Sequence, residues 1–376
     1  MTTYSVRKGG NHTRRLIKWF HLWPGIISAL ILIFVCITGT IFVYSDEIIE
    51  WSAGDARYVK EVLPGRMSSE ELMRILRETY PERKSPTYMV AYRDPQRSVR
   101  FNTYDKELGL RMVYMDQYTG KILKDDPTVY FFYTVAHLHN SLLLGKTGQW
   151  IIDIATLAFL IELITGIYLW WPRKWNKSAR KGAFTVKWRA PFKRVNYDFH
   201  KVFGVYGILF FLILIFTGLI IAFEPLANAT MRLFGGTDPH HWKSERAFTE
   251  EDEAHATFRI NDAVDAAFRM YPGKKEAQVA TYKMNTPYYT VRVSNRIGLK
   301  SAESAENIFF DRITGKVATD IPQTVIKGNQ LENAIWVLHT GNWMGPVGKL
   351  LTFLAGLIGA LLPISGFLIW WNKKRK

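Results

Sequence analysis

Histidine is the side chain best suited to metal or redox chemistry in this 376-residue chain, which has nine: His12, His21, His137, His139, His200, His240, His241, His255 and His339. Four of them recur at matched positions of an internal repeat. A shift of 179 residues lays Arg14-Arg15 on Lys193-Arg194, His21 on His200, Gly25 on Gly204 and Thr38-Gly39 on Thr217-Gly218. A shift of 200 lays Leu138-His139 on Leu338-His339, Gly148 on Gly348, Gly166 on Gly366 and Trp170-Trp171 on Trp370-Trp371. Halves that repeat in the same orientation bring matched residues face to face across their axis. His21/His200 and His139/His339 could then each clamp one iron between two imidazoles. A lone histidine at a helix end more often only satisfies local hydrogen bonds; the pairing lifts these four above that reading. His137 falls on Val337 under the same shift, so it stands as an alternative ligand or as a support for His139.

The remaining inventory narrows the chemistry. Cys36 is the single cysteine, which excludes an intrachain disulfide and cysteine-ligated zinc or iron–sulfur sites. No G-x-G-x-x-G, Walker loop or His-Glu-x-x-His is present, and no serine or cysteine nucleophile constellation stands out.

The elements that must position the histidines are membrane helices. Mean hydropathy is close to zero, but apolar and charged residues are segregated. Residues 19–45, 202–223 and 350–371 contain no Asp, Glu, Lys or Arg, and residues 148–171 contain only Asp153 and Glu162. About 20 apolar residues cross a bilayer as a helix, so four spans are expected and a soluble globular fold is excluded. The first run is too long for the apolar core of a signal peptide and reads as a retained anchor.

Charge sets the orientation. Of the formal net charge of +16, residues 1–18, 172–197 and 372–376 together hold +18 with no acid among them, leaving −2 for everything else. Positive-inside bias puts both termini and the middle loop in the cytoplasm. The organisation expected is a cytoplasmic N-terminus (1–18), transmembrane helix 1 (19–45), an outer module (46–147), helix 2 (148–171), a basic cytoplasmic loop (172–198), helix 3 (199–223), a second outer module (224–346), helix 4 (347–371) and a tail (372–376). The basic flanks read as topology signals and anionic-lipid contacts rather than a nucleic-acid surface.

The outer modules also match each other. The first reads as a helix from Ser69 to near Pro81, then strands at 87–92, 98–104 and 111–118. The second reads as a helix over 261–271, then strands near 278–284, 288–294 and 307–311. Asp116-Gln117-Tyr118-Thr119-Gly120-Lys121 answers Asp311-Arg312-Ile313-Thr314-Gly315-Lys316. The fold class expected is an integral-membrane α-helical four-helix bundle with two α+β modules, built as a parallel repeat.

This order of helix, module ending in Asp-x-x-Thr-Gly-Lys, Leu-His-x-Ser-Leu-Leu-Leu-Gly and a helix ending in Trp-Trp resembles the PepSY-associated transmembrane family over roughly residues 15–371. Members similar to this chain are inner-membrane ferrisiderophore reductases with two b-type haems. The resemblance implies a bacterial inner-membrane oxidoreductase with periplasmic PepSY-like modules. His21/His200 and His139/His339 would be the axial ligands, six-coordinate and suited to electron transfer rather than oxygen chemistry. The acceptor implied is a periplasmic ferric siderophore or other ferric chelate, whose Fe(III), once reduced to Fe(II), is held less tightly. The cytoplasmic segments are too short for a flavin or nicotinamide domain, so electrons must come from a membrane quinol or a separate reductase. PepSY modules also occur in peptidase propeptides, which leaves a second reading: a non-redox, membrane-anchored binding or regulatory protein. A third keeps the haems and changes the acceptor.

Other residues acquire roles from that frame. Every expected span carries a small hydroxyl residue before glycine: Thr38-Gly39, Thr165-Gly166, Thr217-Gly218 and Ser365-Gly366. His21 and Thr38 are 17 residues apart, about 26 Å of helix, so Gly39 and Gly218 fall at the outer level and Gly166 and Gly366 at the inner one. They could make room for a macrocycle or simply pack helices. Arg14, Arg15, Lys18, Lys193 and Arg194 flank the inner pair and could bind haem propionates, though topology alone would put them there. Glu162 has Leu362 as its repeat partner and is either hydrogen-bonded structure or a proton relay. Trp19, Trp23, Trp170, Trp171, Trp370 and Trp371 read as interfacial belts. Tyr88, Tyr92, Tyr282 and Tyr289 could line an outer ligand site, but strand tyrosines are more often packing residues.

Overall fold

In the computed structural model the elements run, in chain order, α1 (Gly10–Phe42), α2 (Ser45–Ala53), α3 (Ser69–Thr79), β1 (Lys84–Tyr92), β2 (Val99–Asp105), β3 (Gly109–Met115), β4 (Ile122–Asp126), α4 (Thr128–Ser141), α5 (Gly145–Trp170), α6 (Lys177–Phe184), α7 (Phe192–Tyr206), α8 (Ile208–Ala222), α9 (Glu224–Leu233), α10 (Glu250–His255), α11 (Ile260–Met270), β5 (Glu276–Ala280), β6 (Tyr288–Ser294), β7 (Arg296–Ile297), β8 (Ala302–Glu303), β9 (Glu306–Asp311), α12 (Gln323–His339) and α13 (Gly345–Lys374). The structure describes residues 10–172, 174–240, 242, 244, 246, 248–281 and 286–374. His241, Tyr282, the end of the strand expected near 278–284 and the outermost residues of both termini lie outside these. The chain divides into a helical unit (1–43, 135–222 and 346–376) and a sheet unit (44–134 and 223–345).

In the helical unit, α1, α5 and α13 are each long and apolar enough to cross a bilayer. Much of their surface faces outward: Ile27 is 79% exposed and Leu30 76%. Apolar surface on this scale, on helices of this length, is what a membrane-spanning segment presents to lipid. The chain is a membrane protein. The third expected span, read from sequence as one helix over 199–223, is instead broken at Gly207 into α7 and α8, which meet at a bend of 61°. A Cβ at Gly207 would collide with the Phe211 ring, so the bend packs an aromatic against bare backbone. Counted as one span, this pair makes four. Small residues also let helices approach elsewhere. A side chain at Gly356 would meet Thr40, and one at Gly359 would come within 2.9 Å of the Cys36 sulfur, so α13 lies close on α1.

The sheet unit follows from period-2 patterning. Met89, Ala91, Val99, Phe101, Val113, Met115, Ala277, Val279, Val291, Val293, Ile308 and Phe310 fall on one face, where α3 and α11 supply Leu72, Leu76, Ile260, Val264 and Ala267 to form the core. Ser68 caps α3 by accepting from the Glu71 N–H at 3.1 Å. The modules expected at 46–147 and 224–346 are joined in one antiparallel seven-stranded sheet of order β4-β3-β2-β1-β5-β6-β9. The seam is β1 against β5, from Tyr88↔Ala280 to Tyr92↔Glu276. The two Thr-Gly-Lys turns have the same construction. Asp116 Oδ1 accepts from Tyr118 N (2.8 Å), and Asp311 Oδ1 accepts from Ile313 N (3.0 Å) and Thr314 N (2.7 Å). Gly120 (φ 71°) and Gly315 (φ 68°) then take the left-handed backbone that closes each turn.

Candidate functional site

Three of the four paired histidines belong to the helical unit, and each is seated in the same way on a neighbouring helix. His21 of α1 places Nδ1 at 3.0 Å from the Glu162 carbonyl and 3.1 Å from the Thr165 hydroxyl of α5. His200 of α7 places Nδ1 at 3.1 Å from the Leu362 carbonyl and 2.9 Å from the Ser365 hydroxyl of α13. His139 of α4 places Nδ1 at 2.9 Å from the Val35 carbonyl and 3.2 Å from the Thr38 hydroxyl of α1. In every case the carbonyl lies three residues before the hydroxyl and the glycine one residue after it.

The glycine is where the ring rests. A Cβ on Gly166 would lie 3.1 Å from His21 Cε1, on Gly366 3.1 Å from His200 Cε1, and on Gly39 2.9 Å from His139 Cε1. The space that sequence reasoning reserved for a macrocycle or for helix packing is thus filled, at these three glycines, by a histidine edge.

This seat fixes the tautomer. A carbonyl oxygen can only accept, so Nδ1 must carry the proton in all three rings. Each hydroxyl meanwhile donates within its own helix: Thr165 to Ile161 O at 2.7 Å, Ser365 to Leu362 O at 2.9 Å, Thr38 to Phe34 O at 2.9 Å. Its lone pairs therefore face the Nδ1–H. Nε2 is left as the lone-pair nitrogen, the form in which imidazole binds a metal. Among the described residues, Nε2 of His21 and of His200 makes no hydrogen bond.

The inner pair meets. The His21 and His200 ring centres are 6.2 Å apart with planes at 76°. An ion bound to two imidazole nitrogens on opposite sides at about 2 Å each, with each nitrogen roughly 1.1 Å from its ring centre, separates the centres by roughly 6.2 Å. The spacing therefore fits two axial ligands on one iron. No group of three or more His, Cys, Asp or Glu side chains gathers to hold an ion among the described residues, so a purely protein-ligated metal centre is not formed there. A haem needs only two protein ligands.

The other expected residues fall as follows. His339 is the last residue of α12 in the sheet unit, with the Trp336 ring 6.4 Å away and perpendicular. His137 is two positions before His139 on α4, which turns it roughly 200° around the helix, away from the Thr38-Gly39 seat that receives His139. Gly218 follows Thr217 on α8, and the Thr217 hydroxyl donates to Ile213 O at 2.6 Å. Arg14 and Arg15 lie in the first turns of α1 and Lys193 in the first turn of α7; none forms an ion pair among the described residues. Arg194 is engaged: its Nε lies 3.0 Å from Oδ2 of the buried Asp198. Glu162 accepts from the Ser28 hydroxyl at 3.3 Å, and a side chain on Gly25 would run into its carboxylate.

What sequence reasoning missed is the carbonyl–hydroxyl–glycine seat as a unit. The signal was present in the spacing Val35/Thr38/Gly39, Glu162/Thr165/Gly166 and Leu362/Ser365/Gly366, one helical turn apiece.

Comparison with curated proteins finds no match. Among family models, the one describing the PepSY-associated TM region matches residues 18–373, from the first turns of α1 to the end of α13. With nearly the whole length matched, this chain belongs to the PepSY-associated TM family.

Proposed function

We propose that this protein is a transmembrane electron conduit carrying two b-type haems, and that it reduces a ferric chelate, of the ferric-siderophore class, on the outer side of a bacterial inner membrane. The single observation that carries the reading is the inner pair: two imidazoles whose Nδ1 faces a carbonyl oxygen, whose Nε2 makes no hydrogen bond among the described residues, and whose centres are 6.2 Å apart. Haem bound there supplies a one-electron couple. His21 and His200 would be its axial ligands; the repeat assigns His139 and His339 to a second. On either side of the β1–β5 seam β2 is answered by β6 and β3 by β9, with β4 added on one side alone, and this partial match supports that repeat.

The protein's own residues do the positioning. Thr165, Ser365 and Thr38 hold the rings by their Nδ1–H groups, and Gly166, Gly366 and Gly39 admit them. Arg14, Arg15 and Lys193 offer cations to propionates at the inner level. The apolar walls of α1, α5 and α13 exclude water from the path. Electrons enter from a quinol or a cytoplasmic reductase on the basic face, which positive-inside bias assigns to the cytoplasm with both termini.

The test is an absorption spectrum of the detergent-purified protein with a haem-to-protein ratio. The expected ratio is two, falling to about one in His21→Ala. A colourless preparation overturns the proposal and favours a membrane-anchored binding protein. Reoxidation of the reduced protein by a panel of ferric chelates identifies the acceptor class.

A further inference from the structure

Features that hold two haems symmetrically should recur in both halves of a repeat, whereas a feature present in one half alone serves something one-sided. The sheet unit has such a feature. In the first half, β2 and β3 are joined by residues 106–108; at the matching place in the second half, residues 295–305 intervene between β6 and β9 and form the β7–β8 hairpin.

This hairpin is fastened on both sides. Towards α2, Arg296 pairs with Glu47 (2.8 Å) and Glu50 (3.5 Å), and the Leu299 N–H donates to Asp46 Oδ1 at 2.9 Å. Towards α12, Asn333 donates to the Ala302 carbonyl and accepts from its N–H, both at 3.0 Å. Ser301 Oγ lies 3.1 Å from Thr340 Oγ1 and accepts from Asn342 Nδ2 at 2.7 Å. These anchors bracket His339. Between them the hairpin presents Lys300, an exposed residue whose ammonium stands 5.4 Å from the centre of the Trp336 ring. Trp336 in turn meets His339 edge-on at 6.4 Å. Its repeat counterpart is Ala136, so the first half has no such ring. Lys300 has no carboxylate within salt-bridge distance among the described residues; Glu332 of α12 attracts its ammonium from farther off and itself lies 2.9 Å from His240 Nε2.

We propose that Lys300 and Trp336 form the acceptor site: Lys300 binds the negative ligand shell of an anionic ferric chelate, and Trp336 bridges that chelate to the haem on His339. The inference rests on the two-haem reading. In the step itself one electron passes from ferrous haem iron, which becomes ferric, to the chelated Fe(III), which becomes Fe(II). No proton or group moves, and the electron is replaced from the quinol or reductase.

Stopped-flow mixing of the reduced, haem-loaded protein with Fe(III)–EDTA, an anion, and with hexaammineruthenium(III), a cation, tests this. Lys300→Glu should slow reoxidation by Fe(III)–EDTA by about tenfold or more while leaving the cationic oxidant as fast or faster, and added salt should shrink the difference. Trp336→Leu should slow both oxidants without changing haem content. A haem-loaded Lys300→Glu protein with the wild-type ratio of the two rates overturns the acceptor site and leaves the two-haem reading standing. A preparation without haem overturns both, and is seen in the spectrum before any mixing.

Discussion

His21 and Gly166 meet where a side chain would otherwise be, with the ring's Cε1 edge 3.1 Å from the position a Cβ would take. The same distance separates His200 from Gly366. Each seat has room for one ring and nothing more. Gly166→Val or Gly366→Val should therefore push its histidine off the carbonyl and hydroxyl and empty the inner site. The expected pyridine-haemochrome ratio is about one haem per chain. Two haems in either variant would show that the ring does not need this seat.

The hydroxyls should act more gently. Thr165→Val and Ser365→Ala remove one of two Nδ1 acceptors but leave the carbonyl, so the haem stays while its ligand loses part of its orientation and basicity. Losing such a partner costs on the order of 10–100-fold in metal affinity or activity. The measurements are haem retention on dilution and the midpoint potential from a spectroscopic titration. Unchanged values in the double variant would make the hydroxyls packing groups only.

A pH dependence is expected in the sheet unit. Burial pushes the Asp125 carboxyl up, but hydrogen bonds from Arg83 (2.6 Å) and Arg111 (3.0 Å) outweigh it and hold the group below the ordinary aspartate range. A lowered folded-state pKa contributes stability above the unfolded value, about pH 4, and that stability is lost as pH falls through the folded value. Unfolding followed by tryptophan fluorescence should weaken below pH 4. Asp125→Asn should lower stability by about 2 kcal/mol near neutrality and flatten the acid limb. An unchanged acid limb in that variant would assign the effect to other carboxylates.

Phe101 is fully buried in the sheet core, near the β1–β5 seam. Phe101→Ala should destabilise the sheet unit by about 3–5 kcal/mol. Limited proteolysis should then cut within 44–134 and 223–345 before it cuts α1, α5 or α13.

Much of the fold was readable because its signals are local. Four charge-free or nearly charge-free runs marked the spans, and Asp-x-x-Thr-Gly-Lys marked two turns whose aspartates cap the backbone identically. The break at Gly207 was not readable, since an apolar run keeps its composition whether or not it bends. Nor was the β1–β5 seam, which joins residues about 190 apart in the sequence and leaves no pattern in either strand. The repeat singled out the four histidines, of which His21 and His200 are seen to meet. Their seats were not readable, because Thr-Gly in a membrane helix has the same spelling whether it receives a ring or another helix; only the rotation of α5, α13 and α1 about their axes decides.

The strand seam also constrains what could be cut away. Sever the chain in its basic middle loop and β1 loses the neighbour that satisfies its outer row of amides and carbonyls. A half-length version would expose that bare edge next to an apolar face, and a second copy is the partner of matching shape. Such a fragment would be expected to work as a homodimer, its twin supplying the missing strand.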